Sequence, residues 1–209
     1  MFYEDGPGAE AVLAAVNEVT KRTGATVTAR ATYEAGASFV GPAIDTLVKA
    51  RPQAVLLLAS GAPAASFIEG YRVAGGAAQL FASSGADIEQ LAKRLHESAL
   101  QGVAIAQVTP SPYRVTNPVA KEVADLLARN PNPETPPSYA LMEGYLAGRT
   151  IIEAVRVMGA GASRAALIGA LDGLDVDLGG FRVGFKNGSR VGSRFVELSI
   201  VTKDGKIRQ

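Results

Sequence analysis

The alternation of strand and helix patterns in the first half of the chain most constrains its fold. The continuous apolar run Ala54–Ala59 is typical of a strand that is covered on both faces. Helix patterns follow strand patterns with short connections, as at Val12–Val19, where apolar residues recur at helical spacing. Repeated units of this kind predict an α/β fold, with a parallel sheet and helices on both of its faces.

The second half of the sequence changes character after a proline-rich stretch at 109–112. An asparagine followed by proline at 117–118 predicts a helix start. Ser138 is expected to cap a long helix, and Ser163 a shorter one. The tail then alternates apolar and polar residues and carries an Asp-Gly turn signal at 204–205. These patterns predict a group of helices followed by a C-terminal antiparallel hairpin.

The chain opens with very little of its first predicted strand. Phe2 and Tyr3 lead almost directly into a glycine-rich turn, whereas a strand in a buried sheet usually has about five residues. We therefore expect this chain to be the later part of a longer protein. No signal peptide is visible, and no apolar run approaches the roughly 18 residues of a membrane span.

Composition excludes several kinds of site. The 209 residues have 47% hydrophobic and 20% charged content and a net charge of +1, which describes a globular protein without general attraction to nucleic acid. There is no cysteine and a single histidine, His96, which follows a predicted helix end. The sequence therefore lacks the residues needed for a thiolate or histidine metal site and for a catalytic triad. We predict no catalytic residue, no metal site, no cofactor and no nucleic-acid partner.

The turn at 6–11 matches the loose glycine pattern of dinucleotide-binding proteins, and Glu34 follows the next strand where a ribose-binding acid could lie. Three neighbours argue against this interpretation. Glu4 and Asp5 precede the turn and would repel a pyrophosphate, and Pro7 removes an amide donor. We prefer a turn between strand and helix that requires small residues, and a nucleotide-dependent α/β enzyme stays an alternative.

Eight segments, taken in order, are distinctive, and they run over nearly the whole chain. They are Phe2–Asp5, Thr32–Glu34, Arg51–Leu56, Pro63–Ile68, Gln101–Val103, Pro137–Tyr145, Leu178–Val183 and Gly192–Leu198. Together they resemble the C-terminal part of type I periplasmic solute-binding proteins of ABC importers, the family of the branched-chain amino-acid-binding and leucine-binding proteins.

The resemblance implies two α/β lobes that close on a solute in the cleft between them. Residues 1–108 would form a second-lobe α/β domain, and 109–190 a crossing segment with first-lobe helices. Residues 191–209 would return as a terminal strand to the second lobe. The part of the first lobe that the family places before this region would be missing, which would leave the apolar residues Ile152 and Val155 exposed.

The resemblance also points to ligand-binding positions, since ligands of open α/β sheets bind beyond the carboxyl ends of the strands. At Pro7, Ala62 and Ser84 the sequence departs from the residues with which amino-acid-binding members contact their solute. A neutral or anionic solute, such as an aromatic or carboxylic acid, is then favoured over an aliphatic amino acid. Ser84 is equally consistent with a cap for the helix predicted at 86–95. The candidate ligand-binding residues are Asp5, Ser60, Ala62, Ser83, Ser84 and Tyr139.

The function implied is that of a non-catalytic, periplasmic solute-binding component of an ABC importer. Its partners would be a small amino-acid-like or carboxylate or aromatic solute and a membrane permease. The chain itself would be an N-terminally truncated fragment that can self-associate through the surface exposed by the missing lobe. A ligand-sensing domain of a regulator or receptor shares this fold and stays a second alternative.

Overall fold

The computed structural model describes residues 1–159, 161, 163–185 and 188–209. These residues form two compact units, residues 1–106 with 198–209 and residues 107–197. The elements are, in chain order, β1 Phe2–Asp5, α1 Ala9–Thr23, β2 Ala31–Glu34, α2 Gly41–Ala50, β3 Ala54–Leu58, α3 Gly61–Val73, β4 Gln79–Ser83, a 3₁₀ turn Ser84–Ala86, α4 Ile88–Arg94, α5 Glu97–Leu100, β5 Ala104–Gln107, α6 Pro118–Arg129, α7 Tyr139–Met158, α8 Arg164–Asp172, β6 Asp175–Asp177, β7 Arg182–Gly184, β8 Glu197–Val201 and β9 Ile207–Arg208.

One sheet organises the first unit. Among the described residues its strand order is β2-β1-β3-β4-β5-β8-β9, and β1 to β5 are parallel. β8 runs antiparallel to β5, since Val201 pairs with Val103 while Ser199 reaches Ile105. The hairpin β8–β9 closes the sheet, with Gly205 in a left-handed conformation in its turn. The predicted α/β class, the parallel sheet and this turn are confirmed.

An aromatic row forms the centre of the first unit. Phe2 of β1 stacks on Phe67 of α3 with ring centroids 4.3 Å apart, and lies 5.0 Å from Tyr33 of β2. Phe67 in turn stacks on Tyr71, and the four rings are almost completely buried. The order of the strands places α1 on one face of the sheet and α2 to α5 on the other, because such crossovers are right-handed. The row therefore packs β1 and β2 against α3.

Residues Ala25–Tyr33 alternate between apolar and polar side chains, which predicts a strand, but the strand in the structure is shorter than this pattern. β2 begins at Ala31, which pairs with Phe2, so the preceding residues have no residue of β1 opposite them. The amino group of Met1 donates a hydrogen bond to the carbonyl oxygen of Ala29 and ends the pairing there. The alternating pattern marks one buried face, but pairing determines where the strand begins.

The second unit consists of helices that pack against a short antiparallel hairpin, β6–β7. Its core joins Val119 and Val123 of α6, Met142 and Leu146 of α7, and Phe181 beside β7. The helix starts predicted from sequence are confirmed, because each cap side chain accepts a backbone N–H. The three caps are Asn117, Ser138 and Ser163.

Several apolar side chains of α7 and α8 face away from this core. Ile152 is 48% exposed and Val155 is 46% exposed, as the sequence predicted for these two residues. In the first unit, the sequence predicts a short helix whose apolar side includes Phe39, but α2 begins only at Gly41 and the Phe39 side chain is 78% exposed.

Candidate ligand-binding site

A cavity of about 310 Å³ lies at the carboxyl ends of the strands in the first unit. It opens where β1, β3 and β4 end and where the turns leading to α1 and α3 begin. Ligands of parallel α/β sheets bind at this edge. The lining residues are Tyr3, Glu4, Gly6, Pro7, Gly8, Ala9, Val12, Tyr33, Leu58, Ala59, Ser60 and Ser83.

Two serines supply hydroxyl groups to this cavity. Ser60 precedes the first residue of α3, and Ser83 precedes the 3₁₀ turn at 84–86. Both have extended backbone, and neither side chain caps the helical segment that follows it. Hydroxyl groups can donate and accept hydrogen bonds, so these two side chains can orient a polar ligand.

Glu4 and Tyr33 lie side by side in β1 and β2, and both line the cavity. Burial of Tyr33 raises the pKa of its phenol above its ordinary value, and the neighbouring Glu4 carboxylate raises it further. A hydrogen bond from the Ser60 backbone acts in the opposite direction. Tyr33 is therefore a neutral hydroxyl at physiological pH, and the Glu4 side chain beside it is exposed.

The structure brings together two of the six predicted ligand-binding residues in this cavity, namely Ser60 and Ser83. Asp5 is exposed at the end of β1, and Ala62 is exposed in the first turn of α3. Neither belongs to the lining, and Ser84 is half-buried in the 3₁₀ turn beside it.

Ser84 does not cap the helix that follows it. α4 begins at Ile88 instead of residue 86, and the Asp87 carboxylate accepts the N–H of Gln90 at 3.0 Å. The 3₁₀ turn separates Ser84 from this helix start, so its side chain has no free helical N–H within reach. The proposed capping role of Ser84 is therefore wrong.

Tyr139 belongs to the second unit and not to this cavity. It is the first residue of α7, and its side chain is buried to all but 4%. Its ring meets the ring of Tyr113 edge to face at 6.1 Å, while the Tyr113 hydroxyl donates to the carbonyl oxygen of Pro137. This packing fits a structural role for Tyr139, which anchors the start of α7. A role of Tyr139 in ligand binding stays a prediction.

Sequence reasoning missed Glu4 and Tyr33 as lining residues. In the sequence Glu4 stands out only as a group that would repel a phosphate, and Tyr33 only as part of a strand pattern. A signal was present, since both stand near the end of a predicted strand, where side chains reach the carboxyl edge. Their contact depends on the register of β1 with β2, which sequence alone does not specify.

Other features of the described residues offer less specific chemistry. A cavity of about 620 Å³ surrounds the β6–β7 hairpin, but its Arg182 already makes a two-pronged ion pair with Asp175. A third cavity, of about 550 Å³, lies between α6 and α7 and is mostly apolar.

His96 caps α5 and bonds to Ser98, as its predicted helix-terminal position implies. The described residues form no group of metal ligands, and none of their helices could cross a membrane.

The sequence matches the family model of the periplasmic binding proteins over residues 1–205. The chain belongs to the periplasmic binding protein family. The resemblance and the type I fold predicted from the sequence are therefore confirmed. The proteins of this family and fold are binding proteins, which are not in general enzymes.

Solved structures of periplasmic binding proteins extend this similarity. A substrate-binding periplasmic protein from Ralstonia solanacearum is 34% identical, with a TM-score of 0.91 over the whole of this chain and 60% of its own. An extracellular ligand-binding receptor from Verminephrobacter eiseniae is 25% identical, with a TM-score of 0.80, and is covered over 59% of its length.

A possible leucine/isoleucine/valine-binding protein from Rhodopirellula baltica shares the fold, with a TM-score of 0.87 at 21% identity and 58% coverage of that chain. The present chain thus spans about three-fifths of the length of these relatives. No curated protein matches the sequence.

Proposed function

We propose that this chain is the solute-binding component of an ABC importer and acts outside the cytoplasm. The solute would be a small amino-acid-like molecule or a small carboxylate or aromatic acid. The observation that carries this proposal is the cavity at the carboxyl edge of the first unit, in a chain that belongs to the periplasmic binding proteins. Closure on the solute would present the loaded protein to a membrane permease.

The division into lobes follows the same proposal. Residues 1–108 would act as the second lobe, 109–190 as the crossing segment with first-lobe helices, and 191–209 as the terminal strand. Within this scheme Tyr139, Asp5, Ala62 and Ser84 stay candidate contacts for the loaded state, in addition to the two serines of the cavity.

The nucleotide-dependent enzyme has less support. The turn at Gly6–Gly8 lines the cavity together with Glu4, so a carboxylate lies where a pyrophosphate would need donors. Glu34 is paired with Asp5 at the outer end of β2 and is not part of the lining, so it is not placed to bind a ribose.

Thermal unfolding of the purified chain with a panel of solutes tests the proposal. The panel contains amino acids, aromatic acids, small carboxylates and NAD. A solute at 100 times its dissociation constant should stabilise the folded chain by about 2.7 kcal/mol. Stabilisation by NAD alone would contradict the importer and support the enzyme.

Variants then locate the binding site. A Ser60→Ala, Ser83→Ala double variant should weaken binding of any stabilising solute by about ten-fold, because it loses two neutral hydrogen bonds. Ser66→Ala, a change of the same kind on α3 outside the cavity lining, should bind like the unmodified chain. Equal binding by all three proteins would show that the solute binds elsewhere.

A further inference from the structure

The cavity of about 550 Å³ between α6 and α7 belongs to the second unit alone, because all its lining residues fall within residues 107–197. Ligand pockets of proteins enclose about 300–1,000 Å³, so this cavity can hold a small molecule. Its walls are the two helices and the loop that joins them. The lining residues are Val123, Leu126 and Leu127 of α6, Asn130, Pro131, Asn132 and Thr135 of the loop, and Leu141 and Tyr145 of α7.

The sequence of the loop at 130–137 makes its wall rigid. The loop contains four prolines, at positions 131, 133, 136 and 137. Each proline ring fixes φ at about −65°, so the loop has few alternative conformations. At its far end the Tyr113 hydroxyl donates a hydrogen bond to the carbonyl oxygen of Pro137 at 3.3 Å. A wall that is already formed lowers the entropy cost of binding a ligand.

The polar side chains of the loop wall already bond within the chain. The Asn130 amide donates to the carbonyl oxygen of Leu126, the Asn132 side-chain oxygen accepts the N–H of Glu134, and the Thr135 hydroxyl donates to the carbonyl oxygen of Asn132. The lining lies entirely in the described part of the chain and includes no charged residue. Burying a charge without a partner is costly, so the cavity favours a neutral ligand.

Tyr145 gives the cavity an aromatic wall. Its hydroxyl accepts a hydrogen bond from Arg149 at 2.9 Å, and Arg149 also forms an ion pair with Glu122 of α6. These contacts hold the Tyr145 ring between the two helices. Aromatic rings attract one another in offset-stacked or edge-to-face arrangements. Apolar cavities can stay dry and bind small aromatic molecules such as benzene.

We propose that the second unit has a binding site of its own for a small, neutral aromatic molecule. The ligand would pack on the Tyr145 ring and bury its other surfaces against Leu126, Leu127 and Leu141. The proposal does not rest on the proposed function, because the candidate solute cavity belongs to the first unit and has different lining residues. One chain would then bind two chemically different molecules at two sites.

Indole is the probe for this site, and indole-3-acetate is its matched control, since it adds a negative charge to the same ring system. Calorimetric titration of the full chain measures both. We expect saturable binding of indole and binding of indole-3-acetate that is weaker by about ten-fold or more. In NMR spectra, nuclear Overhauser contacts should join the indole ring to the methyl groups of Leu126, Leu127 and Leu141.

Leu126→Lys places a charge in the lining and should weaken indole binding by about ten-fold or more. Leu167→Lys makes the same change at a half-buried leucine of α8 outside the lining, and it should bind indole like the unmodified chain. The Overhauser contacts are measured on the unmodified chain, so they locate the ligand whether or not a variant folds. No saturable binding at millimolar indole, contacts confined to the first unit, or equal binding by folded Leu126→Lys would overturn the inference.

Discussion

Neighbouring acidic residues have different environments in this protein. Glu4 and Asp5 are adjacent in sequence, but successive side chains of a strand point to opposite faces. Both carboxylates are exposed, but Glu4 lines the cavity beside Tyr33, whereas Asp5 lies outside the lining and opposite Glu34. One residue of register determines which carboxylate is available to a solute.

Asp204 shows a comparable local effect in the β8–β9 turn. The Thr202 hydroxyl donates to its carboxylate, and with Lys206 it lowers the pKa of Asp204 from 3.8 to about 2. The folded chain therefore holds this proton less tightly than the unfolded chain. The resulting stability is fully present above pH 3.8 and is lost as the pH falls toward about 2.

Thr202→Val should return the pKa of Asp204 toward 3.8, because the variant lacks the hydroxyl that donates to the carboxylate. An NMR pH titration of the Asp204 side chain measures this change. Thr46→Val removes an exposed hydroxyl on α2, which bonds to Pro42, and should leave Asp204 unchanged. An unaltered Asp204 titration in Thr202→Val would show that Lys206 and the backbone hydrogen bond of Asp204 account for the lowered pKa without the hydroxyl.

At the scale of elements, helix starts were predictable where the capping residue directly precedes the helix. Ser138 is such a case, because its hydroxyl accepts the N–H of Leu141 at 3.1 Å. The cap of α4 was not predictable in this way, because a 3₁₀ turn separates Ser84 from the helix and the cap, Asp87, adopts a left-handed backbone with φ of 52°. Asparagine, aspartate and glycine tolerate that conformation better than other residues.

Asp87→Ala should lower the free energy of unfolding by about 2–3 kcal/mol, since it removes a cap and places a methyl group in a left-handed conformation. Asp87→Asn can keep both features and should be nearly neutral. Asp87→Gly keeps the backbone and should cost only a few tenths of a kcal/mol. Urea denaturation measures all three, and an alanine variant no less stable than the glycine variant would contradict the backbone argument.

At the scale of the whole molecule, the second unit has several exposed aliphatic side chains that do not belong to its core. The residues concerned lie on α7 and α8 and are between 43% and 70% exposed, namely Ile151, Ile152, Val155, Val157 and Ile168. Exposed apolar surface of this kind marks an interaction site or an aggregation risk. We therefore expect the isolated chain to self-associate.

Sedimentation velocity over a wide range of protein concentration tests this expectation. Val155→Lys should shift the chain toward monomer, because a charge on the apolar face of α7 opposes burial. Val19→Lys on α1 is a matched control, since Val19 and Val155 are both 46% exposed. A monomer at every concentration, or an equal effect of the two variants, would contradict a role for the α7 face.

The sequence by itself determined the α/β class, the helix caps at Asn117, Ser138 and Ser163, and the turn at 204–205. These features depend on patterns within a few neighbouring residues, which act before distant parts of the chain meet. The choice of Ser60 and Ser83 as candidates was also local, because both follow buried strands.

Only the tertiary structure decided where β2 begins and that Glu4 meets Tyr33 at the cavity. Ala31 is the first paired residue of β2 because Phe2 lies opposite it, and the same register brings Glu4 beside Tyr33. Sequence patterns mark the face to which a side chain points. The partner across a parallel pair depends on the alignment of strands about thirty residues apart, which the packing of Phe2, Tyr33 and Phe67 determines.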